Sequence, residues 1–154
     1  MTGEYRIQAS RDEVWKALND PAILCRCIPG CEQLELAAEN QYAAKVLSKI
    51  GPVKAKFNAK VSLQDLNPPQ SYTLVGEGQG GVAGFAQGRA SVALDDEQTA
   101  TLLRYNAEFK VGGKLAQIGS RLVAGAARKT VDEFFQNFST IMNPAQTDEI
   151  PPAT

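Results

Sequence analysis

The spacing of apolar and polar residues changes along the chain, and each change marks a different kind of element. Tyr5 to Ala9 alternates weakly, as a short first strand. Ser10-Arg11-Asp12-Glu13 then fits a capping box, in which the Ser10 and Glu13 side chains each accept from the other's backbone donor, so a short helix is predicted through Leu18. Asp20-Pro21 opens a second short helix, Pro21 to about Cys27, because proline is tolerated at the first helical position; Pro29-Gly30 ends it.

From Cys31 the period falls to two. Leu34 and Leu36, then Tyr42, Ala44, Val46 and Ile50, flank a polar turn at Glu39-Asn40-Gln41 and predict hairpin strands. After Gly51-Pro52, Val53, Ala55, Phe57, Ala59, Val61 and Leu63 share one face, while Lys54, Lys56, Asn58, Lys60 and Ser62 share the other. A strand buried on one side only has this pattern. Past Asn67-Pro68-Pro69 come Tyr72, Leu74, Gly76 and Gly78, then Ala86, Gly88, Ala90, Val92 and Leu94 on one face of a further strand. Asp95-Asp96-Glu97 turns the chain into a last strand with Leu103, Tyr105, Ala107, Phe109 and Val111 on one side. Gly112-Gly113 breaks the alternation. From Lys114 to about Met142 neither proline nor a turn cluster interrupts the chain, which predicts one long helix with an apolar row of Leu115, Ile118, Leu122 and Ala126, extended by Val131, Phe134, Phe135, Phe138 and Met142. Residues 1–142 thus read as one domain, and 143–154 as a proline-rich, disordered tail.

Composition narrows the function. The 154 residues carry 16 basic and 17 acidic side chains, a net charge of -1, which argues against a dedicated nucleic-acid binder. Histidine is absent, removing the usual general base near neutral pH and the commonest metal ligand. The spacing of Cys25, Cys27 and Cys31 offers three thiols, but a structural zinc site takes four ligands and no histidine completes it; redox chemistry or packing remains. Gly76, Gly78, Gly80, Gly81, Gly84 and Gly88 lie between strand-period segments and lack the helix and Lys-Ser/Thr of a phosphate loop. They permit bends, or leave volume for a ligand. No apolar run is long enough to span a bilayer, and the N-terminus lacks the order of a signal peptide, so a cytoplasmic location is expected.

Leu18-Asn19-Asp20-Pro21, Cys27-Ile28-Pro29-Gly30-Cys31, Ile50-Gly51-Pro52-Val53, Gly84-Phe85-Ala86-Gln87-Gly88 and Gly113-Lys114-Leu115-Ala116-Gln117-Ile118-Gly119 resemble segments of the carbon monoxide dehydrogenase G-subunit family. The resemblance covers nearly the whole domain. It implies an α+β helix-grip fold of the START and birch-pollen-allergen superfamily: a seven-stranded curved antiparallel sheet around a long C-terminal helix, with two short helices after the first strand. It further implies an accessory protein, without cofactor, that assists recruitment of a molybdenum-containing CO dehydrogenase-type hydroxylase to the membrane, or its link to the quinone pool. Many relatives continue into an anchoring segment, whereas this chain stops soon after its helix, so a soluble carrier or reversible peripheral association at the inner face of the membrane is expected.

A sheet curved around one helix leaves space between them, the default site for an apolar lipid or quinone. By face, Tyr42, Phe57, Tyr72, Tyr105 and Phe109 are candidate lining or core residues, with Leu115, Ile118 and Leu122 opposite them on the helix; the resemblance adds Ile23 and Leu24 as a cap at one end. Lys114, Arg121 and Arg128 recur every seven residues, a solvated stripe that would suit anionic headgroups or an acidic partner. No nucleophile–base arrangement is apparent, which favours a noncatalytic carrier over a cavity enzyme of the cyclase or isomerase type. A protein-interaction module with a filled core is the third reading.

Overall fold

The computed structural model describes residues 1–142. In chain order these form β1 (Thr2–Ile7), α1 (Arg11–Leu18), α2 (Pro21–Cys27), β2 (Cys31–Ala38), β3 (Gln41–Ile50), β4 (Val53–Asn67), β5 (Ser71–Gln79), β6 (Phe85–Asp96), β7 (Thr101–Gly112), α3 (Lys114–Gln117) and α4 (Ser120–Met142). A single 3-10 turn at Gly81–Ala83 joins β5 to β6. The tail predicted for 143–154 lies outside the described residues.

Local chemistry starts the helices as expected. The Ser10 hydroxyl accepts from the Glu13 amide at 3.2 Å and the Glu13 carboxylate accepts from the Ser10 amide at 3.4 Å, a complete capping box for α1. Asp20 caps α2 by accepting from the Ala22 amide at 2.9 Å, with Pro21 at the first helical position.

The seven strands make one antiparallel sheet in the order β1-β7-β6-β5-β4-β3-β2, so the fold is α+β with the expected element sequence. Strands β2 to β7 are a meander. β1 instead crosses to the far edge and pairs with β7 from Thr2↔Asn106 to Ile7↔Thr101. It starts earlier than the alternation suggested, because Gly3, which has no side chain to signal a face, sits against the Tyr105 ring.

The continuous terminal helix predicted from Lys114 is interrupted. Gly119 has φ +101°, a conformation that side-chain-bearing residues rarely adopt, and the chain bends there between α3 and α4. Nothing in the apolar periodicity announces this break, since a lone glycine is compatible with a helix at a cost of about 1 kcal/mol. The predicted row of Leu115, Ile118, Leu122 and Ala126 is therefore not a single face. Leu115 is buried under the sheet end, while Leu122 is 44% exposed and lies over the β3–β4 turn at Gly51.

Two separate apolar cores result. The larger joins Ile7, Val14, Leu18, Leu94 and Leu103 to Phe135 and Phe138 of α4. The smaller, at the other end of the sheet, gathers Phe57, Ala83 and Leu115 with Ile50, Val53, Ala55 and Val111. Burying each large apolar side chain contributes about 1.5–3 kcal/mol.

Candidate functional site

Between those cores the sheet is floored by small residues. Pairing aligns Tyr42, Val61, Gly76, Gly88 and Phe109 in one cross-strand row on the face turned toward α4. The adjoining row is Ala44, Ala59, Gly78, Ala86 and Val111, and on the other side Leu74, Ala90 and Ala107 face the same way. Ala59, Gly76, Gly78, Ala86, Gly88, Ala90 and Ala107 are only half-buried, although they occupy the middle of the sheet. A side chain built on Gly76 or Gly78 would meet only Val61, Lys60 or Phe57, at ordinary contact distances of 3.6 to 3.9 Å, and no atom of α4. Helix and sheet are thus held apart over this stretch.

The helix shows the same division. Ser120, Ala124, Ala127 and Val131, spaced by four and three residues, continue the stripe that carries Phe134, Phe135 and Phe138. Ser120 and Ala124 are exposed and Ala127 half-buried, while Phe138 is fully buried. The aromatic half therefore anchors α4, while in the N-terminal half Val123 is buried and Ser120 and Ala124 are exposed. The charged residues of the strands, Lys60, Glu77, Arg89, Glu108 and Lys110, alternate onto the opposite face of the sheet. There they border a broad open groove of about 1010 Å³ lined by sheet residues alone. This groove is wide and open, and charged side chains of both signs border it.

The residues expected at the site divide accordingly. Phe109 is 40% exposed on the row of Gly76 and Gly88, Ile118 is half-buried between α3 and α4, and Leu122 is exposed over Gly51. Tyr42, Tyr72 and Tyr105 serve the core instead. The Tyr42 hydroxyl donates to the Asn19 carbonyl at 3.1 Å, Tyr72 meets Trp15 edge-on at 5.4 Å, and Tyr105 stacks on Phe135 at 5.7 Å. Burial raises the Tyr42 and Tyr72 hydroxyls above their ordinary range. Phe57 and Leu115 fill the smaller core. Ile23 packs against the larger one, and Leu24 is half-buried beside it on α2.

The seven-residue stripe of Lys114, Arg121 and Arg128 is also corrected. Lys114 belongs to α3, beyond the bend, so the three do not share one helix, and Arg128, itself exposed, donates to the Tyr105 hydroxyl at 3.0 Å and the Thr2 carbonyl at 3.2 Å. Lys114 and Arg121 remain exposed and join a different grouping. The β3–β4 turn, the β5–β6 turn and the β7–α4 connection all lie at one end of the sheet, the end of the smaller core. Exposed Lys49, Lys54, Lys114 and Arg121 belong to elements at this end, as do Val82, which is 86% exposed, and Leu122. No Asp or Glu occurs in 41–64, 78–94 or 109–131. The opposite end, by contrast, carries Glu39, Asp65, Asp95, Asp96 and Glu97. The two ends therefore differ in charge, with Glu97 and Asp95 at the opposite end paired to Arg6 and Arg104.

Among the described residues no helix is long and apolar enough to cross a membrane.

The model of the carbon monoxide dehydrogenase G-subunit (CoxG) family matches residues 3–143. A conserved protein from Geobacillus kaustophilus is similar at 34% identity, with 94% of this chain and 95% of that chain covered and a TM-score of 0.87. A START superfamily protein from Mycobacterium smegmatis shares 12% identity over 94% of this chain and 97% of its own, with a TM-score of 0.71. A Thermus thermophilus protein shares 14% identity over the same 94% of this chain and 97% of its own, at a TM-score of 0.69. The last two show the fold alone. No curated protein matches the chain.

Proposed function

Because the chain belongs to the carbon monoxide dehydrogenase G-subunit (CoxG) family, we propose that it is a noncatalytic accessory protein that holds an apolar molecule, a lipid or quinone, between α4 and the sheet and assists a molybdenum-containing hydroxylase of the CO dehydrogenase type. One observation carries this reading: the floor of Gly76, Gly78, Gly88 and neighbouring alanines that keeps two cores apart. An apolar molecule laid there would cover surface now half-exposed, and each buried methylene contributes about 0.8 kcal/mol. The helix-facing rows of the floor carry no carboxylate, amine or thiol, and the hydroxyl of Tyr42 in them is engaged by the Asn19 carbonyl. That favours carriage over a cyclase- or isomerase-type reaction.

The basic end supplies the route. Lys49, Lys54, Lys114 and Arg121 face an anionic bilayer in this reading, with Val82 and Leu122 entering its interface, and each basic residue near such a surface contributes about 1 kcal/mol. Contact is peripheral and reversible, and the cleft opens toward the membrane from which the ligand comes. The test is titration of delipidated protein with a long-chain benzoquinone, followed by quenching of Trp15 fluorescence and by native mass spectrometry. Saturable uptake of one molecule per chain is expected. A chain that remains bare at saturating quinone and also refuses phosphatidylglycerol would leave the interaction-module reading in its place.

A further inference from the structure

The three cysteines do not behave as a set. Cys27, at the end of α2, is fully buried in the larger core, and burial pushes its thiol up to about 11. Cys25 and Cys31 are half-buried and lie with their sulfur atoms 3.1 Å apart, on either side of the turn Ile28-Pro29-Gly30. That turn is held at both ends: the Cys31 amide donates to the Ile28 carbonyl at 3.1 Å, and the Leu47 amide donates to the Gly30 carbonyl at 2.9 Å. Gly30 has φ +77°, and a side chain there would strike the Leu47 carbonyl. The pair is thus set by a backbone arrangement that does not depend on the thiols themselves.

We propose that Cys25 and Cys31 are a reversible dithiol–disulfide pair, a modification site that clamps α2 to the start of β2. A disulfide has its sulfurs about 2.05 Å apart, so closure asks for roughly 1 Å of sulfur movement, within the reach of χ1 adjustments. The oxidant is a low-molecular-weight disulfide. One protein thiolate attacks it, forming a mixed disulfide and expelling one small thiol. The second protein thiolate then attacks the protein sulfur of that mixed disulfide, expelling the other small thiol. Two protein thiols are oxidised and one external disulfide is reduced, with each released proton going to a small thiolate. Burial and the neighbouring Cys25 sulfur hold the Cys31 thiol above its ordinary range, so exchange accelerates as pH rises. α2 also bears on α4, because the Asn137 side-chain Nδ2 donates to the Cys27 carbonyl at 3.1 Å. Closing the pair would therefore restrain the helix that carries Ile23 and Leu24. The pairing stands independently of what the cleft holds.

The full chain, equilibrated in a glutathione redox buffer at mildly alkaline pH and quenched with acid, gives the test by intact mass and peptide mapping. The wild type and Cys27→Ser are expected to lose two hydrogens and yield a peptide linked through Cys25 and Cys31, reversed by dithiothreitol. Cys25→Ser and Cys31→Ser are expected to give no internal link. A link through Cys27, or mixed disulfides that persist without an internal link, overturns the assignment. Hydrogen exchange across residues 21–31 should slow on oxidation; unchanged exchange overturns the clamp.

Discussion

Gly76 and Gly88 stand opposite each other on β5 and β6, at the centre of the sheet, and neither position is covered by an atom of α4 within contact distance. Most sheets pack their central inward positions with Val, Ile or Leu, because that is where burial is worth most. Here the large side chains stand at either end of the helix–sheet interface instead. The proposed carrier function rests on that inversion, and it has measurable consequences.

Filling the floor should separate binding from stability. Gly78 lies in a strand, and a Cβ added there would meet only Phe57, at 3.8 Å. Gly78→Leu is expected to change stability by no more than about 1 kcal/mol, the span of strand propensities. Quinone uptake should nevertheless fall about tenfold or more, equivalent to about 1.4 kcal/mol. Paired denaturant and binding titrations check it; equal uptake by the variant would place the ligand elsewhere.

Phe138 should behave in the opposite way. It is fully buried where α4 meets the sheet, stacked with Phe134 at 6.2 Å. Phe138→Ala is expected to cost about 3–5 kcal/mol, as truncation of a buried aromatic does. Urea unfolding measures it, and a loss below about 1 kcal/mol would mean that this half of the helix is not the anchor.

The Arg128–Tyr105 contact predicts non-additivity. Tyr105→Phe removes the acceptor of the 3.0 Å bond, and Arg128→Met removes the donor while keeping much of the stem. Each should cost about 1 kcal/mol, and the double variant less than the sum, because both delete the same hydrogen bond. Strict additivity in a double-mutant cycle would assign Arg128 to solvent.

Much of the fold is legible in the residue pattern alone, because alternation in β3 to β7 is strong and the capping box at Ser10 is a local signal. The bend at Gly119 is not, since a glycine inside an apolar period reads equally as a tolerated helical residue. The tyrosines illustrate a second limit. Parity places Tyr42, Tyr72 and Tyr105 on the correct face, but whether that face is filled or open depends on what α4 brings over each row. Only the three-dimensional register shows that Phe135 covers Tyr105 while no atom of α4 comes within contact distance of Gly76 or Gly88. The basic end is hidden for the same reason: its residues come from turns far apart in sequence.

Alkaline pH should weaken the fold in a defined window. Burial lifts the Tyr72 hydroxyl above its ordinary 10.0, and burial together with the Asp132 carboxylate, which accepts its proton at 2.7 Å, lifts Tyr5. Cys27 rises from 9.0 to about 11. The folded chain keeps these groups neutral, so their stabilising effect is complete below their unfolded values and is lost as pH rises toward the folded ones. The urea midpoint is expected to fall from about pH 9 upward. Tyr72→Phe should make that fall shallower above 10.0, the ordinary tyrosine value. An unchanged slope would mean that Tyr72 ionises freely in the folded protein.

Membrane approach through the basic end is checked by charge reversal. The double variant Lys49→Glu, Lys54→Glu alters exposed residues near the paired ends of β3 and β4, outside both cores. Its sedimentation with phosphatidylglycerol vesicles should fall steeply, while phosphatidylcholine vesicles bind neither form well. Since each basic residue contributes about 1 kcal/mol, the loss should be at least about tenfold. Equal binding by the variant would move the contact to another surface.

The central claim is that the small-residue floor holds an apolar molecule, and native mass spectrometry of the gently purified chain, followed by organic extraction, tests it most directly. One lipid or quinone per chain is predicted for the wild type, and a bare chain for Gly78→Leu. A bare wild-type chain that also takes up neither added quinone nor added lipid would contradict it.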